Sequence, residues 1–122
     1  MFEKFTERGL KILNDARAEA EMRKHPVVDI EHLALAVLQD ERAMQILKAK
    51  GLSPEKMKME IEKCLPSNTH VNKYGDLPFS PRAINALKLA IEEAKLLGKE
   101  NYVSSEHILM GIMKQFLLHK HA

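Results

Sequence analysis

Part of this chain is written twice. Phe5, Arg8, Leu13, Ala16, Glu19 and Ala20 recur in register as Phe79, Arg82, Leu87, Ala90, Glu93 and Ala94, all at one constant offset. Val28, Glu31 and His32 recur as Val103, Glu106 and His107 at an offset longer by one position, so a single insertion separates the two blocks. A match that keeps register across a helix, a turn and the next helix's start implies that one structural unit was copied. Two such copies are expected to fold alike and bury their apolar faces together.

The unit is helical. Leu, Ala, Lys and Glu are abundant, Trp is absent, and nothing alternates with the period of a strand. Thr6 caps a first helix running to about Lys24, with Leu10, Leu13, Ala16 and Ala20 inward, Arg17, Glu21 and Lys24 outward, and Pro26 as its stop. Asp29 caps a second helix through Leu33, Val37 and Leu38. A third spans about Glu41 to Lys50 and ends at Gly51. Ser53-Pro54-Glu55 starts a fourth that runs to about Cys64. Residues 65–78, with two prolines and Gly75-Asp76, read as a linker. Ser80-Pro81 opens a fifth helix ending at Gly98, and Ser104 caps a sixth through Ile108, Ile112 and Leu117. The expected organisation is one all-α domain with pseudo-two-fold tandem repeats. The first repeat, 1–65, has four helices, a linker covers 66–78, and the second repeat, 79–122, has two and is incomplete. Lacking two covering helices, Ile108, Ile112, Phe116 and Leu117 are expected to be exposed and to favour a homodimer.

Bulk properties exclude several functions. Nineteen Lys and Arg against 17 Asp and Glu leave a net charge of +2, too little for the broad basic face of a nucleic-acid binder. A helix-turn-helix regulator is the competing class, disfavoured by that balance and by the duplication. A single cysteine, Cys64, suits a reducing cytoplasm, and no apolar run approaches a membrane span. No G-x-x-x-x-G-K-[ST] loop holds a nucleotide, so neither cofactor nor catalytic role is expected. His32 and His107 lack a second ligand at helical spacing, which argues against zinc and for buried histidines bonded to the neighbouring repeat.

Phe5-Thr6-Glu7-Arg8, Glu31-His32-Leu33, Gly51-Leu52-Ser53, Phe79-Ser80-Pro81-Arg82-Ala83 and Ser105-Glu106-His107-Ile108-Leu109-Met110-Gly111-Ile112 together resemble the Clp N-terminal repeat. That repeat forms the N-domain of Clp-family AAA+ unfoldases, and the ClpC-like form is the nearest pattern. The resemblance implies a domain that recruits adaptor proteins and unfolded or tagged substrates to an ATPase ring and its Clp peptidase. A stand-alone adaptor or anti-adaptor would use the same surface. In ClpC-like members the resemblance extends to reading phosphorylated arginine. Such a reader needs a carboxylate for the guanidinium and anion-binding groups for the phosphate. Glu31 and Glu106 are the candidate carboxylates; the helix starts at Thr6 and Ser80, with Arg8 and Arg82, are the candidate anion groups. Where the ClpC-like pattern has Gly-Thr before the glutamate, this chain has Asp29-Ile30 and Ser104-Ser105, so the Glu106 site keeps more of the chemistry. Phe2 and Phe79 match phenylalanines that line an apolar peptide groove in actinobacterial relatives, though Ile84 and Lys88 stand where those carry lysine and glutamate.

Overall fold

The structure, a computed structural model, describes residues 1–66, 77–97 and 101–121. Most of the expected linker, and Gly98, lie outside the described residues. Six helices follow in order among them: α1 (Glu7–Met22), α2 (Ile30–Val37), α3 (Glu41–Ala49), α4 (Pro54–Cys64), α5 (Pro81–Leu97) and α6 (Ser105–His121).

Capping sets most boundaries. Thr6 accepts the Gly9 amide, Asp40 the Ala43 amide, Ser53 the Lys56 amide and Ser80 the Ala83 amide. Gly51, at φ 77°, ends α3 in the left-handed conformation that glycine adopts without strain. The end of α1 departs from expectation. The helix stops at Met22, not at Pro26, because Lys24 turns left-handed at φ 57° and the His25 amide reaches back to the Ala20 carbonyl. The inward face also shifts. Leu10 is exposed, and Gly9 takes the buried position, where a β-carbon would lie 2.8 Å from the Val103 carbonyl oxygen.

α2 lies at the centre. Every residue from Ile30 to Leu38 is buried; Glu31 and His32 are the only polar side chains of α2. α1 packs on α2, α5 packs on α6, and α6 also reaches α1, α2 and α3. The α5–α6 crossing is close because Gly111 has no side chain: a β-carbon there would run into the Ala86 carbonyl oxygen. That packing overturns one expectation. Ile108 and Ile112 are 0% and 3% exposed, covered by their own chain, and only Phe116 and Leu117 of the four remain open to solvent. The apolar surface available to a homodimer shrinks accordingly.

The two copies interlock through matched backbone bonds. The Thr6 amide donates to the Val103 carbonyl and the Val103 amide to the Lys4 carbonyl. In the other half, the Ser80 amide donates to Val28 and the Val28 amide to Pro78. Two short parallel bridges, Phe5 with Val103 and Val28 with Phe79, result. Each bridge joins the segment before the first helix of one repeat to the segment before the second helix of the other. The helix starts that the duplication predicts are thereby brought together in crossed pairs.

Candidate functional site

Crossing produces two composite sites. In the first, the start of α5 (Ser80, Arg82) faces the start of α2 (Asp29, Glu31). In the second, the start of α1 (Thr6, Arg8) faces the start of α6 (Ser104, Glu106). Neither repeat supplies a whole site.

The first site is satisfied from within. The Ser80 hydroxyl donates to Asp29 Oδ1 at 2.7 Å. Arg82 Nη2 donates to Asp29 Oδ2 at 3.2 Å and to Glu31 Oε1 and Oε2 at 2.9 and 3.1 Å. Glu31 is buried, so its carboxylate requires this partner. Burial pushes the Asp29 carboxyl up, but the Ser80 hydroxyl, the Ile30 amide and the Arg82 guanidinium outweigh it and hold the group below its ordinary value. Against burial, Asp29 and Glu31 likewise raise the Arg82 pKa. A cavity of about 200 Å³ adjoins this cluster, walled also by Cys64, Pro66 and Val27.

The second site is arranged differently. The Thr6 hydroxyl donates to Ser104 Oγ at 2.9 Å, so a neutral pair stands where the first site has a hydroxyl on a carboxylate. Arg8 points away, its Nε 3.5 Å from Asp40 Oδ1. Glu106 meets Arg42 of α3, with Nε 2.5 Å from Oε2. Arg8 and Arg42 are both exposed, whereas Arg82 is half-buried. Ser105, between Ser104 and Glu106, is fully buried, and its hydroxyl has no partner among the described residues.

Phe2 and Phe79, the candidate groove residues, do come together. Their rings lie 6.0 Å apart edge to face, and Phe5 joins them at 5.1 Å from Phe2. Arg17, expected in solvent, lies over the Phe79 ring at 4.9 Å.

Both repeat-matched histidines turn out to be capping groups. His32 Nδ1 accepts the Asp29 amide at 2.8 Å, and His107 Nδ1 accepts the Ser104 amide at 3.0 Å, each reaching back to the start of its own helix. Neither makes the expected bond to the neighbouring repeat among the described residues, since the N-cap amide one turn back is the nearer donor. His107 is also only half-buried. A third histidine, His25, is buried with its Nδ1 2.7 Å from His32 Nε2 and its Nε2 3.1 Å from the Pro66 carbonyl oxygen. Its separation from His32 across a turn carries no motif. Among the described residues, no group of three or more His, Cys, Asp or Glu side chains could hold a metal, and no helix is long and apolar enough to cross a membrane.

The described residues thus form an all-helical domain of two interlocked repeats, in which paired helix starts carry one buried and one half-buried glutamate. Residues 4–118 match the Clp repeat (R) N-terminal domain, and the chain belongs to that family. It is 34% identical over 117 residues to the chloroplastic chaperone protein ClpC1 of Arabidopsis thaliana, an alignment covering 94% of this chain and 12% of that protein. The chain thus spans about an eighth of the length of such relatives. In three dimensions it resembles the Hsp104 N-terminal domain of Candida albicans, with a TM-score of 0.81 and 19% identity over 97% of this chain and 79% of that one. It also resembles a ClpV N-domain in complex with a VipB peptide, with a TM-score of 0.76 and 20% identity over 93% and 69% of the two chains.

Proposed function

We propose that this domain recruits polypeptides, both adaptors and substrates for unfolding or degradation, to a Clp-type AAA+ ring with its peptidase, and that it reads phosphorylated arginine at the second composite site. Catalysis belongs to the ring; this domain's role is recognition without a cofactor. The single observation carrying the reading is the crossed arrangement, which brings the start of α6, the helix that carries Glu106, against the α1 amino end of the other repeat. A phosphoarginine side chain needs that pairing. Glu106 supplies the carboxylate for the guanidinium, while the amides of α1 and α6, the Thr6 and Ser104 hydroxyls and Arg8 supply groups for the phosphate. Arg42, now on Glu106, is exposed and can swing to the phosphate when a client guanidinium replaces it.

The peptide held by the ClpV N-domain supports a polypeptide ligand for this fold. The Phe2–Phe79 cluster, which includes Phe5 next to Thr6, offers an apolar contact for residues flanking the modified one. A free, exposed Cys64 suits a reducing compartment such as the cytoplasm.

Calorimetric titration with a phosphoarginine peptide and its unphosphorylated twin tests the reading. The phosphorylated peptide is expected to bind, and Glu106→Ala to weaken it at least tenfold. Equal binding of both peptides refutes the phosphoryl component. Retention of full affinity in Glu106→Ala refutes the site.

A further inference from the structure

We infer that Asp29 is a built-in anion that occupies the first composite site, so that this domain takes its phosphorylated client at one site and not at two. The ligand class rests on the phosphoarginine reading above; the occupancy of the site by Asp29 does not.

The two sites are related residue by residue. Thr6 and Arg8 correspond to Ser80 and Arg82 at the offset of the first block, and Glu31 corresponds to Glu106 at that of the second. Only one of these polar positions changes its charge: Asp29 corresponds to Ser104. The observed bonding follows that one difference. Where the carboxylate is present, the capping hydroxyl donates to it at 2.7 Å and the arginine is drawn in, bridging Asp29 and Glu31. Where serine stands instead, the hydroxyls pair with each other and Arg8 turns out to Asp40, which caps α3. Asp29 therefore makes, from inside the chain, the contacts a phosphate oxygen would make: a hydroxyl donor, a guanidinium and the positive end of a helix. Arg82 in turn lies on Glu31 as a client guanidinium would. Both halves of a phosphoarginine are mimicked by residues already in place.

An incoming phosphate at the first site must displace a partly buried carboxylate from a guanidinium and a hydroxyl, and it brings more negative charge beside Asp29. At the second site it displaces only a hydroxyl pair, while the client guanidinium takes the place of the exposed Arg42 on Glu106. The closed site has a structural role of its own, because it pins α5 to α2 across the repeat boundary.

Exchange of the two equivalent residues tests the inference. Asp29→Ser keeps a capping residue at the start of α2, and Ser104→Asp keeps one at the start of α6, so both variants are expected to fold. The parent is expected to bind one equivalent of phosphoarginine peptide, Asp29→Ser two, and Ser104→Asp none or at least tenfold more weakly. The double variant moves the single site to Glu31, so that Glu31→Ala becomes the damaging change in that background. Two equivalents bound by the parent overturn the inference while leaving the phosphoarginine reading intact. A second readout needs no ligand. The Arg82 Nη2 protons, bonded to Asp29 and Glu31, are expected to exchange more slowly with water in the parent than in Asp29→Ser, while the Arg8 Nη protons slow in Ser104→Asp. No peptide binding together with these exchange changes upholds the Asp29 closure and sinks the phosphoarginine reading. Unchanged exchange in both variants overturns the closure.

Discussion

Acid should unlock this domain at one identifiable place, the His25–His32 pair. Three bonds fix both tautomers. His32 Nδ1 accepts the Asp29 amide, so its proton is on Nε2 and goes to His25 Nδ1; the proton on His25 Nε2 then goes to the Pro66 carbonyl. This relay of bonds has room for two ring protons and no more. A third puts two N–H groups face to face, either at Asp29 or between the rings. Burial foremost, and then the charges His25 and Arg23 can carry, lower the His32 pKa from 6.5 to about 4, with Asp29 opposing. The folded value is the lower one, so the unfolded chain takes up the proton first. The contribution is whole above about pH 6.5, falls as the pH drops, and levels off below about 4. At about 1.4 kcal/mol per pH unit, discounted for partial solvent access, the loss reaches about 2–3 kcal/mol. Asp29, whose carboxyl is held below its ordinary value, loses its contribution only below about pH 4 and does not confuse the window. Urea unfolding of the parent and of His32→Asn at steps from pH 8 to pH 4.5 measures the effect. Asn keeps an acceptor for the Asp29 amide but cannot titrate. The variant is expected to be less stable at pH 7 and to have a flatter profile from pH 6.5 downward. Parallel profiles, or a parent that gains stability between pH 7 and pH 5, refute the reasoning.

Other changes follow from packing and backbone geometry. Gly111→Ala forces a β-carbon into the Ala86 carbonyl and should cost about 2–3 kcal/mol or more by chemical denaturation, with α5 and α6 losing amide-exchange protection together. Ser105→Ala removes a buried hydroxyl without a described partner and should raise stability by about 1 kcal/mol, read as a higher urea midpoint at unchanged slope. Lys24→Gly relieves a left-handed backbone and should stabilise by up to about 1 kcal/mol, whereas Lys24→Val at the same φ of 57° should destabilise, both read from thermal unfolding.

The duplication made the helices legible, and the capping residues Thr6, Asp29, Ser53 and Ser80 made their starts legible, because each is a local signal. Helix ends were less so. Lys24 is a left-handed residue without the glycine that usually marks one, so Pro26 drew the stop too far along. Gly9 and Gly111 face the core through close backbone approach, which an apolar count cannot register, and Leu10 was placed inward in consequence. The grouping of the candidate site residues was not legible in the sequence. Thr6 meets Ser104 and Ser80 meets Asp29 only because each repeat's first helix starts beside the other's second, a matter of long-range pairing. The hydrogen bond from Ser80 to Asp29 and the ion pair of Asp29 with Arg82 depend on the same crossing. His25 had no helical or motif spacing to His32, and the turn between α1 and α2 alone brings their rings to 5.0 Å.

The most direct measurement follows backbone amide shifts of the isotope-labelled domain during titration with a phosphoarginine peptide. Crossed assembly of the second site predicts joint movement of two distant stretches, the first turn of α1 from Thr6 to Gly9 and the first turn of α6 from Ser104 to His107, saturating together, while Ser80 to Ala83 stays still. Shifts confined to one of the two helices, or centred on the first turn of α5, contradict the account.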